Sequence, residues 1–209
     1  MTDEGFDARR KAENQRASGN IDGAVETLIT YLERCPEDNR TRLLLANMLI
    51  VNKNQKDAGL AHLDMILALD PEFDDARRAL VTVIKENKKY NAETTEHFEY
   101  LLEKYPDDID LLHVYGIFCR EQLLDFTRAE KCFSKCVELQ PDMERYRLSY
   151  ASLLINDFRF YDSGREQLLA AQRLNPGNPK TEAALKRLSK KKYKGDKGPR
   201  KSLVSRFTR

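Results

Sequence analysis

The stretch "LERCPEDN", residues 32–39, has the form of a helix end, followed by a charged turn and a proline that stops the helix. Similar stretches recur along the chain as "LALDPEFD", "LEKYPDDI", "VELQPDME" and "QRLNPGNP". Each of their prolines follows the previous one after 35 residues, and the set is Pro36, Pro71, Pro106, Pro141 and Pro176. A fixed period of this length predicts a stack of repeated structural units.

The composition of the chain favours helices. Of its 209 residues 33% are charged, whereas only 9 are glycine and 7 are proline, a balance typical of solvent-exposed helices and unlike that of turn-rich β-sandwiches. The N-terminal residues contain no apolar signal segment, and no apolar run reaches the roughly 18 residues that span a bilayer. These observations predict an all-α, soluble, unsecreted protein of the cytoplasm, with the nucleus as a further location in a eukaryote.

Other positions repeat their chemistry at the same period. The residues 12 positions before each proline are small, and they are Ala24, Gly59, Thr94, Ala129 and Gly164. The residues 8 positions before each proline are large and apolar, and they are Leu28, Leu63, Phe98, Phe133 and Leu168. A second pair of large and small residues follows the proline by nine positions, as in Leu45-Ala46 and Tyr115-Gly116. The spacing predicts two amphipathic helices per unit, which pack closely where the small residues lie.

The period also divides the chain into repeats. Each proline ends the second helix of one unit and opens the first helix of the next, because its missing N–H is tolerated in a first turn but not further inside a helix. We therefore predict a helical stack over residues 1–189, with repeats at 5–38, 39–73, 74–108, 109–143 and 144–178. A capping helix is predicted at 179–192, and residues 193–209 are predicted to form a basic, flexible tail.

Two stretches carry the repeat pattern most plainly, "GNIDGAVETLITYLERCPEDN" (19–39) and "LDFTRAEKCFSKCVELQPD" (124–142). Their matching positions are Gly19, Ala24, Leu28 and Pro36 in the first, and Phe126, Ala129, Phe133, Cys136 and Pro141 in the second. This pattern resembles the tetratricopeptide repeat. The resemblance covers roughly residues 5–189, and it implies an all-α, right-handed superhelical α-solenoid of antiparallel helix pairs with a C-terminal capping helix.

Two features depart from the family pattern, whose period is 34 residues. The small positions of the two helices lie thirteen residues apart in repeats two to five, as from Gly116 to Ala129, but twelve apart from Ala12 to Ala24. We therefore predict an inter-helix turn that is one residue longer in the later repeats. The first helix also has Lys11 and Gln15 where other repeats are apolar, as expected of an N-terminal cap.

Residues with catalytic or metal-binding potential are sparse. The cysteines lack the CxxC pairing of zinc and redox sites, and they are Cys35, Cys119, Cys132 and Cys136. We predict free thiols that pack in the core, in preference to a metal cluster formed by the last three. No nucleophile, carboxylate-pair or phosphate-binding motif accompanies the histidines, which are His62, His97 and His113. The sequence therefore predicts no enzyme, no metal and no cofactor.

The resemblance implies that the first helices line a concave groove that holds a segment of a partner protein. In each first helix three positions on one face are expected to line it: two before and two after the large residue, and one turn further on. The predicted lining is Arg9, Glu13, Arg16, Leu43, Asn47, Ile50, Arg78, Thr82, Lys85, His113, Ile117, Arg120, Leu148, Ser152 and Ile155. Its cations predict a partner segment with acidic and apolar residues, unless they only solvate an exposed helix face.

Some family members clamp the C-terminal carboxylate of heat-shock chaperones, but that activity is not predicted here. The positions that correspond to the clamp's Lys, Asn, Asn, Lys and Arg are Arg9, Glu13, Leu44, Asp74 and Arg78. Three of the five do not match, and two of these would place carboxylates in a site meant for one.

Charge is unevenly distributed along the chain, whose net charge is +2. From Thr181 onward eleven Lys and Arg stand against two acidic residues, so that an acidic body precedes a basic tail. The predicted tail cations are Lys190, Lys191, Lys192, Lys194, Arg200 and Lys201. They favour binding of nucleic acid or an anionic membrane surface, or nuclear import, whereas a solvated tail is the simpler interpretation. Self-association through exposed end repeats is a third alternative.

Overall fold

A computed structural model describes residues 4–190, within which every regular element is helical and the predicted all-α fold class is confirmed. The chain forms two compact units, Met1–Tyr90 and Asn91–Arg209. The first contains α1 (Glu4–Ala17), α2 (Ile21–Arg34), α3 (Asn39–Val51), α4 (Lys56–Leu69) and α5 (Asp74–Ile84). The second contains α6 (Asn91–Lys104), α7 (Ile109–Phe118), α8 (Phe126–Leu139), α9 (Glu144–Leu153), α10 (Tyr161–Leu174) and α11 (Pro179–Lys190).

The first unit packs α1 against α2 and α3 against α4, and α5 lies on α4. Its core contains the large residues that the period singled out, since Leu28 and Leu63 are both completely buried. The small residues Ala24 and Gly59 are also buried in their helices, where they permit close approach of the neighbouring helix. Burial of these large and small residues accounts for the pairing of the helices.

The second unit repeats this arrangement with α7 against α8 and α9 against α10, while α11 packs on α10. Phe98, Phe133 and Leu168 occupy the large positions and are at most 2% exposed. The ring of Phe98 lies 5.0 Å from that of Tyr115 on α7, between ring centroids, in a tilted arrangement. Aromatic packing of this kind adds to the apolar burial that holds α6 on α7.

The repeated prolines have a hydrogen-bonding role that the sequence analysis did not predict. Their carbonyl oxygens accept from an arginine six residues later, in the first turn and a half of the following helix. The pairs are Arg42 with Pro36, Arg77 with Pro71 at 2.7 Å, and Arg147 with Pro141 at 2.7 Å. Each guanidinium therefore fastens the turn between two repeats to the helix that follows it.

The turn at Pro106 is held by a different residue. Leu112 stands where the three turns above have arginine, and Lys135 of α8 donates to the Pro106 carbonyl instead, at 2.7 Å. The recurrence of Arg six residues after three of the prolines is a sequence signal that would have predicted the first three contacts. The Lys135 contact spans 29 residues and has no such local signal.

The extra residue of the longer period lies in the turn between the two helices of a repeat. In three repeats a backbone N–H closes this turn on the carbonyl six residues earlier, each at 2.8 Å: Gln55 on Leu49, Asp125 on Cys119, and Phe160 on Leu154. In the first repeat the N–H of Asn20 bonds to the carbonyl of Gln15, only five residues earlier. α7 and α9 accommodate the insertion by ending in π-helical turns, Cys119–Leu123 and Leu154–Phe158.

A left-handed residue precedes each of these closures. Gly19 holds this position in the first repeat with φ of 84°, whereas Asn54, Leu124 and Arg159 hold it in the others with φ between 53° and 61°. A side chain in this conformation is unfavourable for residues other than Gly, Asn and Asp. Leu124 is therefore strained, and it is also 47% exposed.

Replacing Leu124 with Asn, the residue that holds the same position as Asn54, is expected to raise the free energy of unfolding by about 1 kcal/mol. The gain follows because Asn adopts the left-handed region more readily and leucine has little packing to lose there. Urea denaturation measures it. The control, Leu139→Asn at an exposed helical position of α8, should give no gain. A similar gain in both variants would contradict the assignment of strain to Leu124.

A single carboxylate, that of Glu144, joins α11 to α9. The Glu144 side chain accepts from Asn175 Nδ2 at 2.8 Å, from Asn178 Nδ2 at 2.5 Å and from Thr181 Oγ1 at 3.1 Å. The hydrogen bond from Asn175 and those from the other two donors lower the pKa of Glu144, against the opposing effect of burial. Leu188 of α11 is 4% exposed and packs with Ala151 and Leu168. α11 is thus fixed at both ends on the last hairpin.

Candidate protein-binding surfaces

Of the predicted lining residues of α1, Arg9 holds α1 on the start of α3, whereas Glu13 and Arg16 pair within the helix. Arg9 Nη1 lies 2.9 Å from Asp38 Oδ2 and 2.9 Å from Thr41 Oγ1, and Glu13 pairs with Arg16 at 2.6 Å. Burial raises the pKa of Asp38, but the hydrogen bonds from Thr41 and the charge of Arg9 outweigh it, so that its pKa is lowered. These side chains stabilise the N-terminal hairpin.

On α3 the three predicted residues separate into two roles. Leu43 and Ile50 are half-buried and pack against the core that α3 forms with α4 and α5. Asn47, between them in the sequence, is exposed. An exposed amide offers a donor and an acceptor to the backbone of another chain.

On α5 the predicted residues remain at the surface. Thr82 is exposed and donates to the Arg78 carbonyl at 2.9 Å, while Lys85 donates to the Thr82 carbonyl at 3.2 Å. Arg78 and Lys85 are half-buried and lie seven residues apart on one face. The α5 face therefore presents two cations.

In the second unit His113 lies among side chains of α8 and α9. Its Nε2 is 2.8 Å from Ser149 Oγ, and its ring centroid is 5.8 Å from that of Phe133 and 5.1 Å from that of Tyr146. Arg120 is paired with Asp157 at 2.7 Å, with both side chains about four-fifths buried. Ile117 is half-buried. His113 and Arg120 therefore connect neighbouring first helices.

Burial lowers the pKa of His113, the charge of Arg145 lowers it further, and Asp110 opposes both. The folded state therefore binds this proton less readily than the unfolded state, whose pKa is near 6.5. The contribution of neutral His113 to the free energy of unfolding is fully present above that pH. It is lost as the pH falls from the unfolded pKa through the lower folded pKa, with a limiting slope of about 1.4 kcal/mol per pH unit. His62, beside Arg42 in the first unit, is shifted in the same direction by burial and by Arg42.

The share of the free energy of unfolding that depends on these histidines is thus expected to be constant well above pH 6.5 and to fall as the pH drops below 6.5. His113→Gln should remove the part of this pH dependence that arises from His113. The part that arises from His62 should remain. Chemical denaturation at a series of pH values measures both. An identical pH profile for the wild type and His113→Gln would contradict the burial of a neutral imidazole.

A cleft of about 370 Å³ lies between α9 and α11, with α10 contributing to its wall. The cleft is lined by Leu148, Ser152, Ile155, Asn156, Leu168, Lys180, Ala184, Arg187 and Leu188. Its apolar side chains come from α9, α10 and α11, and both of its cations come from α11. Ser152 Oγ accepts from Asn156 Nδ2 at 3.1 Å. Three of the predicted lining residues, Leu148, Ser152 and Ile155, therefore border a concave site.

Six residues of this cleft were not predicted as lining residues, namely Asn156, Leu168, Lys180, Ala184, Arg187 and Leu188. The pairs that join first helices were not predicted either, although they had a signal in the sequence. Asp110 with Arg145, His113 with Ser149, and Arg120 with Asp157 are separated by 35, 36 and 37 residues, close to one period. Residues one period apart on first helices are neighbours in a stack of repeats. The predicted tail cations from Lys191 onward, and the Lys190 side chain, lie outside the described part of the chain.

The cysteines are free and mostly buried. Cys119 and Cys136 are completely buried, and Cys132 is 7% exposed. Burial raises the pKa of Cys119 and Cys132 to about 12 and that of Cys136 to about 11, so these thiols stay protonated and unreactive. Within residues 4–190, no group of three or more His, Cys, Asp or Glu is placed to hold a metal ion.

None of the helices in the described range has the length and hydropathy that a bilayer span requires.

A family model described as tetratricopeptide repeat matches residues 9–72 of the chain. No curated protein matches the sequence. Many solved structures do match, and three illustrate the similarity.

A tetratricopeptide repeat protein from Parabacteroides merdae ATCC 43184 has 16% identity and a TM-score of 0.75, over 90% of this chain and 74% of that one. MamA from Desulfovibrio magneticus RS-1, from residue 41 to its end, has 17% identity and a TM-score of 0.70, over 86% and 99% of the two chains. YrrB, a repeat protein of this type with an unusual peptide-binding site, has 14% identity and a TM-score of 0.68, over 86% and 90%. At such identities the similarity shows the fold alone.

Proposed function

We propose that this chain, whose residues 9–72 match the tetratricopeptide repeat and whose fold is that of such proteins, is a non-catalytic scaffold whose first helices bind a segment of a partner protein. The observation that carries this proposal is the cleft beside α9, which is bordered by the residues expected to face a bound segment. Exposed Asn47 on α3 and Thr82 on α5 offer polar groups at the corresponding positions of the first unit. The peptide-binding site of YrrB, a protein of the same fold, supports this reading.

The chemistry of these faces favours a partner with acidic and apolar residues. Arg78 and Lys85 on α5 would attract carboxylates through charge-assisted hydrogen bonds. Half-buried Ile117 and Leu148 offer apolar contact on the first helices of the second unit. Arg9 and Arg120 contribute less, since each is already held in an ion pair of its own unit.

Reversing both α5 cations, in the variant Arg78→Glu/Lys85→Glu, is expected to weaken partner binding at least tenfold, because two attractive contacts become repulsive. Partners captured from a lysate of the source organism by the wild-type chain are identified by mass spectrometry. One of them is then purified and titrated against each variant by calorimetry.

The matched control is Lys56→Glu/Lys131→Glu, which makes the same change in net charge at exposed positions of α4 and α8. This control should bind within about twofold of the wild type. Equal loss in both variants would show that net charge, and not the face of α5, governs binding. Normal binding by both would exclude α5 from the interface.

The basic C-terminal segment supports a second candidate function, binding of nucleic acid or an anionic surface. The supporting observation is the excess of eleven Lys and Arg over two acidic residues from Thr181 onward. Such binding would fall steeply with salt and disappear when residues 191–209 are deleted. Binding of a protein partner through the first helices should survive that deletion.

A further inference from the structure

We propose that the cleft between α9 and α11 is an anchor site for one aliphatic side chain of a partner protein that is flanked in its sequence by a carboxylate. This inference rests on the proposed function and names the chemistry of its partner. It makes the capping helix α11 part of the binding site, in addition to its role in closing the last hairpin.

The floor of the cleft fits an aliphatic group. Leu148, Ile155 and Leu168 line it from α9, the turn after α9, and α10, and Leu188 completes it from α11. Burial of an aliphatic group against these side chains is favourable because it removes apolar surface from water. A volume of about 370 Å³ lies within the range of ligand clefts, about 300–1,000 Å³.

The rim of the cleft fits an anion. Lys180 and Arg187 are seven residues apart on α11, so they share one face and are separated by about 10 Å along the helix axis. No Asp or Glu lines the cleft. Neither cation has an ion-pair partner within residues 4–190, in contrast to Arg9, Arg16 and Arg120.

Neutral hydrogen-bonding groups lie between the apolar floor and this charged rim. Ser152 and Asn156 are bonded to one another through a single contact, which leaves the Ser152 hydroxyl proton and the remaining amide groups able to bond to a peptide backbone. A segment in extended conformation needs such partners for its own N–H and C=O groups. The apolar floor, the polar groups and the cationic rim together match a peptide segment in which an apolar residue has a neighbouring Asp or Glu.

The site has a fixed geometry because α11 is held in place. The three hydrogen bonds that Glu144 accepts join α11 and the preceding turn to α9, and Leu188 packs in the same core as Leu168. A preformed site loses less conformational entropy on binding than one that must be ordered. The cleft can therefore select a short segment.

The charge of the sequence from Lys191 onward does not match the cations of the cleft. From Lys191 to the end the sequence has eight Lys and Arg against the single acidic residue Asp196. Such a segment is repelled by Lys180 and Arg187. An acidic segment of another protein is attracted by both.

The first step of the test is selection of random heptapeptides on the intact chain. The expected result is enrichment of Leu, Ile or Met next to Asp or Glu. A synthetic peptide with the enriched sequence is then titrated by fluorescence anisotropy. Absence of enrichment, or enrichment without an acidic residue, would overturn the proposal.

Two variants of neighbouring residues give a matched comparison. Arg187→Glu should lower the affinity for the peptide at least about tenfold, and it should change the selected flanking residue from acidic to basic. Lys186→Glu makes the same charge change at an exposed residue of α11 that does not line the cleft, and it should stay within about twofold. Equal weakening by both variants would overturn the proposal.

A third variant, Ser152→Phe, fills the cleft without changing charge, and it should abolish binding while circular dichroism shows unchanged helix content. If it unfolds the protein, the comparison of Arg187→Glu with Lys186→Glu decides alone. Partner capture that is specific but insensitive to Arg187→Glu would overturn this inference and leave the proposed function standing. Absence of any specific capture by the wild-type chain would overturn both.

Discussion

Leu63→Ala is expected to lower the free energy of unfolding by about 2–5 kcal/mol, because it removes buried methyl groups and leaves a cavity between helices. Leu63 is completely buried in a core that includes Ala46, Ile66 and Leu80. These residues come from α3, α4 and α5, so the cavity would weaken three helices together. Urea denaturation followed by circular dichroism measures the change.

The same helix provides the control for this prediction. Leu69 of α4 is 61% exposed, and Leu69→Ala should change the free energy of unfolding by no more than about 0.5 kcal/mol. The two variants lose the same atoms, Leu63 from the core and Leu69 from the exposed last turn of α4. Comparable losses of unfolding free energy in both variants would contradict the assignment of the large residues, 8 positions before each proline, to the core.

Gly59→Val is expected to destabilise by about 1–3 kcal/mol through overpacking. A Cβ at Gly59 would lie 2.4 Å from Ile50 Cγ1 and 2.9 Å from the Ala46 carbonyl oxygen. The second neighbour is a backbone atom of α3, so α3 and α4 must move apart to admit any side chain. Thermal and chemical denaturation both report the loss.

Ala61→Val is the matched variant for Gly59, since Ala61 is exposed on the same helix. It adds a β-branched side chain in solvent, and it should cost only the small difference in helix propensity, below about 1 kcal/mol. If Gly59→Val proved as stable as Ala61→Val, the small residue at Gly59 would not mark a site of close helix approach.

The sequence could predict the helix pairs because burial in a hairpin depends on local spacing. The large residue at Leu63 and the small residue at Gly59 lie four positions apart on one helix, and this pattern needs no knowledge of the partner helix. The extra residue in the longer period was predictable for the same reason. It lies in the turn that Asp125 closes on Cys119, between the small positions Gly116 and Ala129 whose spacing predicted it.

The side-chain pairs between repeats could not be predicted from the pattern of a single repeat, because each partner lies in the next repeat. Arg120 was predicted as a groove cation, but Asp157, which follows it by 37 residues, holds it in an ion pair. The cleft depends on where α11 packs relative to α9, two helices separated by α10. Lys180 and Arg187 lie in the predicted capping helix, and only the packed structure places them on the rim of an apolar site.

Photo-crosslinking of the partner complex is the most direct test of binding through the first helices. A benzophenone amino acid is placed in turn at Thr82 and Ser152 on first helices, and at Ala61 and Lys131 on second helices. The proposed function predicts crosslinks to the partner from Thr82 and Ser152 and none from Ala61 and Lys131. Crosslinks that form only from the second helices, or equally from all four positions, would contradict it.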